Sequence, residues 1–127
     1  MLIIVLLLVQ IVLGTQVREQ IDHISASLDF QHRELWIEQL GNIFKVHRSF
    51  ALVATIGCLY LFYRYKNYNE FKSSAWLILL CLVCVVGLGL LMAYFNMPAI
   101  AQPLHLLLSS ILITVVYYNW LRTSYMR

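Results

Sequence analysis

The chain has 127 residues, 61% of them apolar and only 12% charged, with a net charge of +3. A soluble domain carries about 25% charged residues, so half that share, gathered into a few short stretches, excludes a wholly water-facing surface. The positive balance is too small, and too free of basic stripes interleaved with aromatics, for a nucleic-acid partner.

Four apolar stretches follow one another at residues 1–14, 43–62, 75–95 and 98–120. A spanning helix needs roughly 20 apolar residues to cross a hydrocarbon core of about 30 Å. The last three stretches meet that length. The first, taken to Val17, rises about 25 Å at the ideal pitch and falls a little short. A signal peptide is its competitor, but no basic residue precedes the apolar run and no small-residue cleavage site precedes Arg18. The expectation is an all-α, integral membrane four-helix bundle in contact with the lipid bilayer. Its helices are placed at about 1–18, 43–65, 73–96 and 98–121, with an outer loop over 19–42, and the short first span suggests a truncated chain.

The connections are unequal. Residues 15–42 form a polar segment of 28 residues with five carboxylates and two arginines. Residues 63–74 are short and basic through Arg64, Lys66 and Lys72, and Asn96 and Met97 make a near-minimal turn before Pro98, a residue suited to a helix start. Short basic loops mark the cytoplasmic side, so both termini are expected in the cytoplasm or matrix, of a bacterial-type plasma membrane or a mitochondrial inner membrane. Arg122 and Arg127 add to that side, and Tyr63, Tyr65, Tyr68, Tyr117, Tyr118 and Trp120 form its aromatic belt. The segment from Leu28 to Leu40 reads either as a short helix lying on the outer surface or as a solvated loop.

Four histidines occur, of which His23 and His32 fall in the loop and His47 and His105 in helices. Ionisable residues inside spans are costly and usually functional. The second and fourth helices enter from the same side, placing His47 about one turn and His105 about two turns in, so the depths differ by only a few ångströms at about 1.5 Å per residue. Two neutral imidazoles facing one another across a bundle suit both axial positions of a haem iron. Ala51, Ala54 and Cys58 follow His47, and Ser109 and Ser110 follow His105, at spacings that leave room for a flat macrocycle. The bland alternative is a pair of histidines that tie helices together amid small packing residues. Arg18, Lys45 and Arg48 lie near the same face, and arginine forks carboxylates such as haem propionates. Arg48 points roughly 100° away from His47 on the helix and must bend to reach one. The Cys81–Cys84 spacing reads as small apolar residues in lipid. No phosphate-binding glycine loop, nucleophile triad or histidine cluster for a metal is present.

The stretch from Gln10 through Gly14 to Arg18, the Val46-His47-Arg48 opening of the second helix, and the Pro103-Leu-His105-Leu opening of the fourth resemble, in order and spacing, the C-terminal half of a heme A synthase. That family has two tandem four-helix bundles, each with a histidine on its second and fourth helices. The resemblance implies that His47 and His105 are the metal ligands of haem b; Arg18 and Arg48 stand as candidate propionate partners by residue type and position alone. It also implies oxidation of a methyl group of heme O to the formyl group of heme A, for cytochrome oxidase assembly. The implied partners are a missing N-terminal bundle or a second copy, heme O synthase and the cytochrome oxidase assembly machinery. The alternative reading is a membrane haem-b anchor passing electrons within another redox complex, although its short cytoplasmic loop offers little to a soluble partner.

Overall fold

The computed structural model describes residues 1–125, so Arg127, counted above on the cytoplasmic side, lies outside the described residues. It contains α1 (Leu2–Ser27), the single turn α2 (Arg33–Trp36), α3 (Asn42–Tyr65), α4 (Lys72–Tyr94) and α5 (Ala101–Tyr125). Four of these are long and apolar enough to cross a membrane. The chain is therefore an all-helical, multi-pass integral membrane protein.

The helices run round the bundle in the order α1, α3, α4, α5, each packed against its two neighbours. The pairs α1/α4 and α3/α5 face each other diagonally without close backbone contact. Four successive spans put both ends of the described chain at one end of the bundle, the termini end, and the 28–41 linker at the other.

Two helix bounds that shape the site differ from expectation. The first helix does not stop near 18 but continues to Ser27, and 26 residues rise about 39 Å, ample for a span. The cause is an apolar row, Val17, Ile21, Ile24 and Leu28, spaced by three and four so that it stays on one face through an otherwise charged stretch. That face meets Trp36, Leu40 and Met97, which form a second core capping the linker end. The linker carries the single helical turn α2 and is not a solvated loop: its Trp36 and Leu40 are buried, and Trp36 Nε1 donates to the Gln31 carbonyl at 2.9 Å. Glu34, in the single turn of α2, sits below the usual carboxylate range because it faces its own backbone N–H and the His32 ring at 3.3 Å.

The last helix begins at Ala101 rather than Pro98. Asn96 and Met97 adopt left-handed backbone (φ 52° and 48°), and residues 98–100 complete a turn whose Pro98 carbonyl accepts from Ala101 N–H at 3.0 Å. A methionine is a poor choice for positive φ, and burial of its side chain in the capping core offsets that strain.

The main core lies toward the termini end, where Leu7, Ala54, Cys58, Ile78, Cys81, Leu82, Leu112 and Val116 interlock. There Ser74 Oγ donates to the buried Asn119 Oδ1 at 2.7 Å, tying α4 to α5, and Arg122 holds the basic hinge by donating to the Glu70 carbonyl at 2.6 Å. Ile78 is completely covered. Ile78→Ala should lower stability by about 2–5 kcal/mol, the range for a large-to-small change in a packed core, read as a lower midpoint of detergent-induced unfolding.

Candidate haem-ligand site between two helical hairpins

Between the two cores, no side chain among the described residues is fully covered by protein. The gap runs from Leu7 to Ile21 on α1, from Leu40 to Ala54 entering α3, from Leu82 to Met97 leaving α4, and from Ala101 to Leu112 on α5. All four helices lose their buried residues over the same slab. His47 and His105 sit in it.

His47 lies five residues beyond the start of α3 and His105 four beyond the start of α5, so their heights above those starts differ by about 1.5 Å. Both are half-buried and stand on diagonal helices. On α3 the positions below His47 are small and turned inward, with Ala54 and Cys58 buried. On α5, Ser109 is half-buried and returns its hydroxyl to the His105 carbonyl at 2.7 Å, while Ser110 points away.

Each imidazole packs on a glycine of the preceding helix. A Cβ at Gly14 would stand 3.3 Å from His47 Cε1, and one at Gly89 would stand 3.5 Å from His105 Cε1. Four residues before each glycine is the group that meets the ring: the Gln10 side chain for His47, the Val85 carbonyl for His105. The α1–α3 and α4–α5 hairpins therefore present their histidines in the same way.

In the second hairpin the chemistry is fixed. Val85 O already accepts a helical N–H from Gly89, and the missing Cβ at 89 opens its other lone pair to the ring. His105 Nδ1 lies 3.0 Å from that oxygen. A carbonyl cannot donate, so Nδ1 carries the proton and Nε2 keeps its lone pair. In the first hairpin, Gln10 Nε2 lies 3.2 Å from Nδ1 and 3.4 Å from Nε2 of His47, and 3.3 Å from the His47 carbonyl oxygen, to which it donates.

Arg18 reaches α5, donating to the Gln102 side chain one turn before His105, while its Nε pairs with Asp22 at 2.9 Å. Arg33, to which the sequence alone assigns no role, donates to the Met97 carbonyl at 3.0 Å and stacks 5.1 Å over Trp36. The two arginines share a cleft of about 400 Å³ with Ser25, Gln102 and Pro103. Arg48 is not brought there; it is exposed on α3, 6.0 Å over Phe44. His23 and His32 are exposed on the linker side and do not join the pair.

A family model described as cytochrome oxidase assembly protein, COX15-CtaA, matches residues 1–117. The chain belongs to this family, that of the heme A synthases. Neither a curated protein nor a solved structure matches it. Membership gives the chain a role in cytochrome oxidase assembly, and the match takes in both histidines, both glycines and Gln10. The donor chemistry fits an iron porphyrin: two imidazoles about one turn past the starts of parallel helices, each packed on a glycine, in a slab that this chain's own side chains leave uncovered.

Proposed function

We propose that this bundle holds haem b between His47 and His105 and acts as a heme A synthase or its haem-bearing half, the reaction being oxidation of a heme O methyl group to the formyl group of heme A. The observation that carries the reading is the placing of two half-buried imidazoles on diagonal helices, each about one turn past its helix start, in the slab without core.

When bound, the haem supplies one-electron chemistry. The chain's residues orient and shield it. His105 enters with its Nδ1 proton tied to Val85, so Nε2 is directed for ligation. The main core closes one side of the slab and the capping core the other, which limits water at the iron. Arg18, anchored on α5 beside His105, is placed to fork a propionate carboxylate; Arg33 lies in the same cleft.

The short basic hinge and the tyrosines at the termini end support a cytoplasmic or matrix location for both termini, with the haem near the opposite face. Electrons would then pass between this haem and a second haem site in another bundle, whether a separate polypeptide or a second copy. Heme O synthase and the oxidase assembly machinery are the matching partners upstream and downstream. The test is titration of the detergent-purified chain with haem. Low-spin bis-imidazole absorption bands that saturate at one haem per chain are expected. A high-spin product, or none, overturns the reading.

A further inference from the structure

The two histidines are braced by groups of different kinds. His105 leans on a backbone carbonyl, which only accepts and cannot turn. His47 leans on a side-chain amide, which donates from one end and accepts from the other. In the structure the donating end faces the ring, and Gln10 Oε1 is buried without a partner. An unpaired buried carbonyl forfeits its hydration and gains no bond in return, so this amide is held in a compromised orientation. The amide nitrogen stands nearer Nδ1, at 3.2 Å, than Nε2, at 3.4 Å; with its N–H given to the nearer Nδ1, the ring proton belongs on Nε2, where it blocks a metal.

We propose that Gln10 is a positioning residue that decides which nitrogen of His47 is free. Its amide donates to Nδ1 in the haem-free chain and makes a half-turn to accept the Nδ1 proton when Nε2 is given to iron. The ring stays neutral, holding one proton throughout; only the site of that proton changes. His105 is thus set for ligation before any iron arrives, whereas His47 becomes competent only with the turn of Gln10. Gly14 lets the ring lie close to α1, because a Cβ there would stand only 3.3 Å from His47 Cε1 and anything bulkier would separate the two. The inference rests on the haem reading above, but its first arm does not need haem.

That arm is the tautomer of each histidine in the haem-free chain in micelles, labelled with ¹⁵N-histidine and read by long-range proton–nitrogen correlation. His105 should show the Nδ1–H form and His47 the Nε2–H form. The Nδ1–H form at both overturns the amide turn, and this outcome requires no variant. The second arm loads haem onto Gln10→Leu and Gln10→Glu. Leucine removes the acceptor, so affinity should fall roughly 10- to 100-fold, as when other metal-bound histidines lose the group that holds their second nitrogen, and the midpoint potential should rise because the ligand becomes less basic. Glutamate keeps an acceptor in place and should retain binding. The His105 Nδ1–H signal reports that each variant is folded. Equal affinity and potential in Gln10→Leu and the parent chain overturn the proposal, since a merely structural bond would leave both unmoved. Failure of the parent chain to bind haem overturns the functional reading instead, and leaves the tautomer arm standing.

Discussion

His105→Ala should abolish the low-spin haem spectrum and weaken haem retention by more than the roughly 10- to 100-fold that losing the hydrogen-bond partner of a ligand costs. Preorganisation is the reason. The lone pair on His105 Nε2 is presented by a hydrogen bond to main chain that no rotation can undo, so most of the orienting cost is met before binding. Removing that side chain leaves His47, whose ring edge is shared with Gln10. His47→Ala should be the milder lesion: the spectrum becomes high-spin, but haem stays on the preset His105. Absorption and electron paramagnetic resonance spectra of the two variants, each titrated with haem, separate the cases. Spectra indistinguishable from the parent chain in both would move the ligands elsewhere. If His47→Ala proves the more damaging, His47 and not His105 is the preset ligand.

The parts of this site that are legible in the sequence are those where a side chain must be of one kind. An imidazole in a span is rare enough to stand out, and equal distance from two entries on the same side is simple arithmetic on the helical rise. The diagonal position of α3 and α5 is open to them because they run the same way in a four-helix bundle. What cannot be read is of three sorts. Val85 contributes only its carbonyl, so any residue at that position would serve and the letter carries no signal. Gly14 and Gly89 announce close approach but not what approaches. Gln10 and Gly14 stand in the stretch that carries the family resemblance, yet nothing in their spacing says they meet a ring on another helix. The third sort is tertiary. Arg33 reaches the cleft only because Trp36 and Leu40 fold the linker under the end of the bundle, and that packing depends on α1 running nine residues past Arg18 to Ser27. The row Val17, Ile21, Ile24, Leu28 holds the clue, obscured by the charged residues between. Arg48 is legible in the sequence as pointing roughly 100° away from His47, and the structure places it exposed over Phe44 without the bend toward the site.

Gly14→Val and Gly89→Val should expel haem while leaving the helices intact, and Gly87→Val should leave both haem and helices in place. A Cβ at 14 would sit 3.3 Å from His47 Cε1 and 3.8 Å from Nδ1, which alanine could accommodate by a shift of a few tenths of an ångström. Valine adds two methyl groups on a stiff, β-branched carbon, and these must either turn the imidazole or part α1 from α3. At 89 the Cβ would stand 3.5 Å from His105 Cε1, and the methyls would also screen the Val85 carbonyl that fixes the His105 proton. Gly87, two residues away on the same helix, has nothing within 4 Å of such a Cβ. Replacing a helical glycine there with a stronger helix former should cost nothing, since glycine is about 1 kcal/mol poorer than alanine in a helix interior. The measurement is a pair: circular dichroism for helix content and haem titration for ligation. Haem loss from all three variants would mean that α4 tolerates no bulk at this depth for general reasons of packing. Haem loss at 14 and 89 alone would tie ligation to the two seats on which the imidazoles rest, because only there does added bulk meet a ring before it meets anything else.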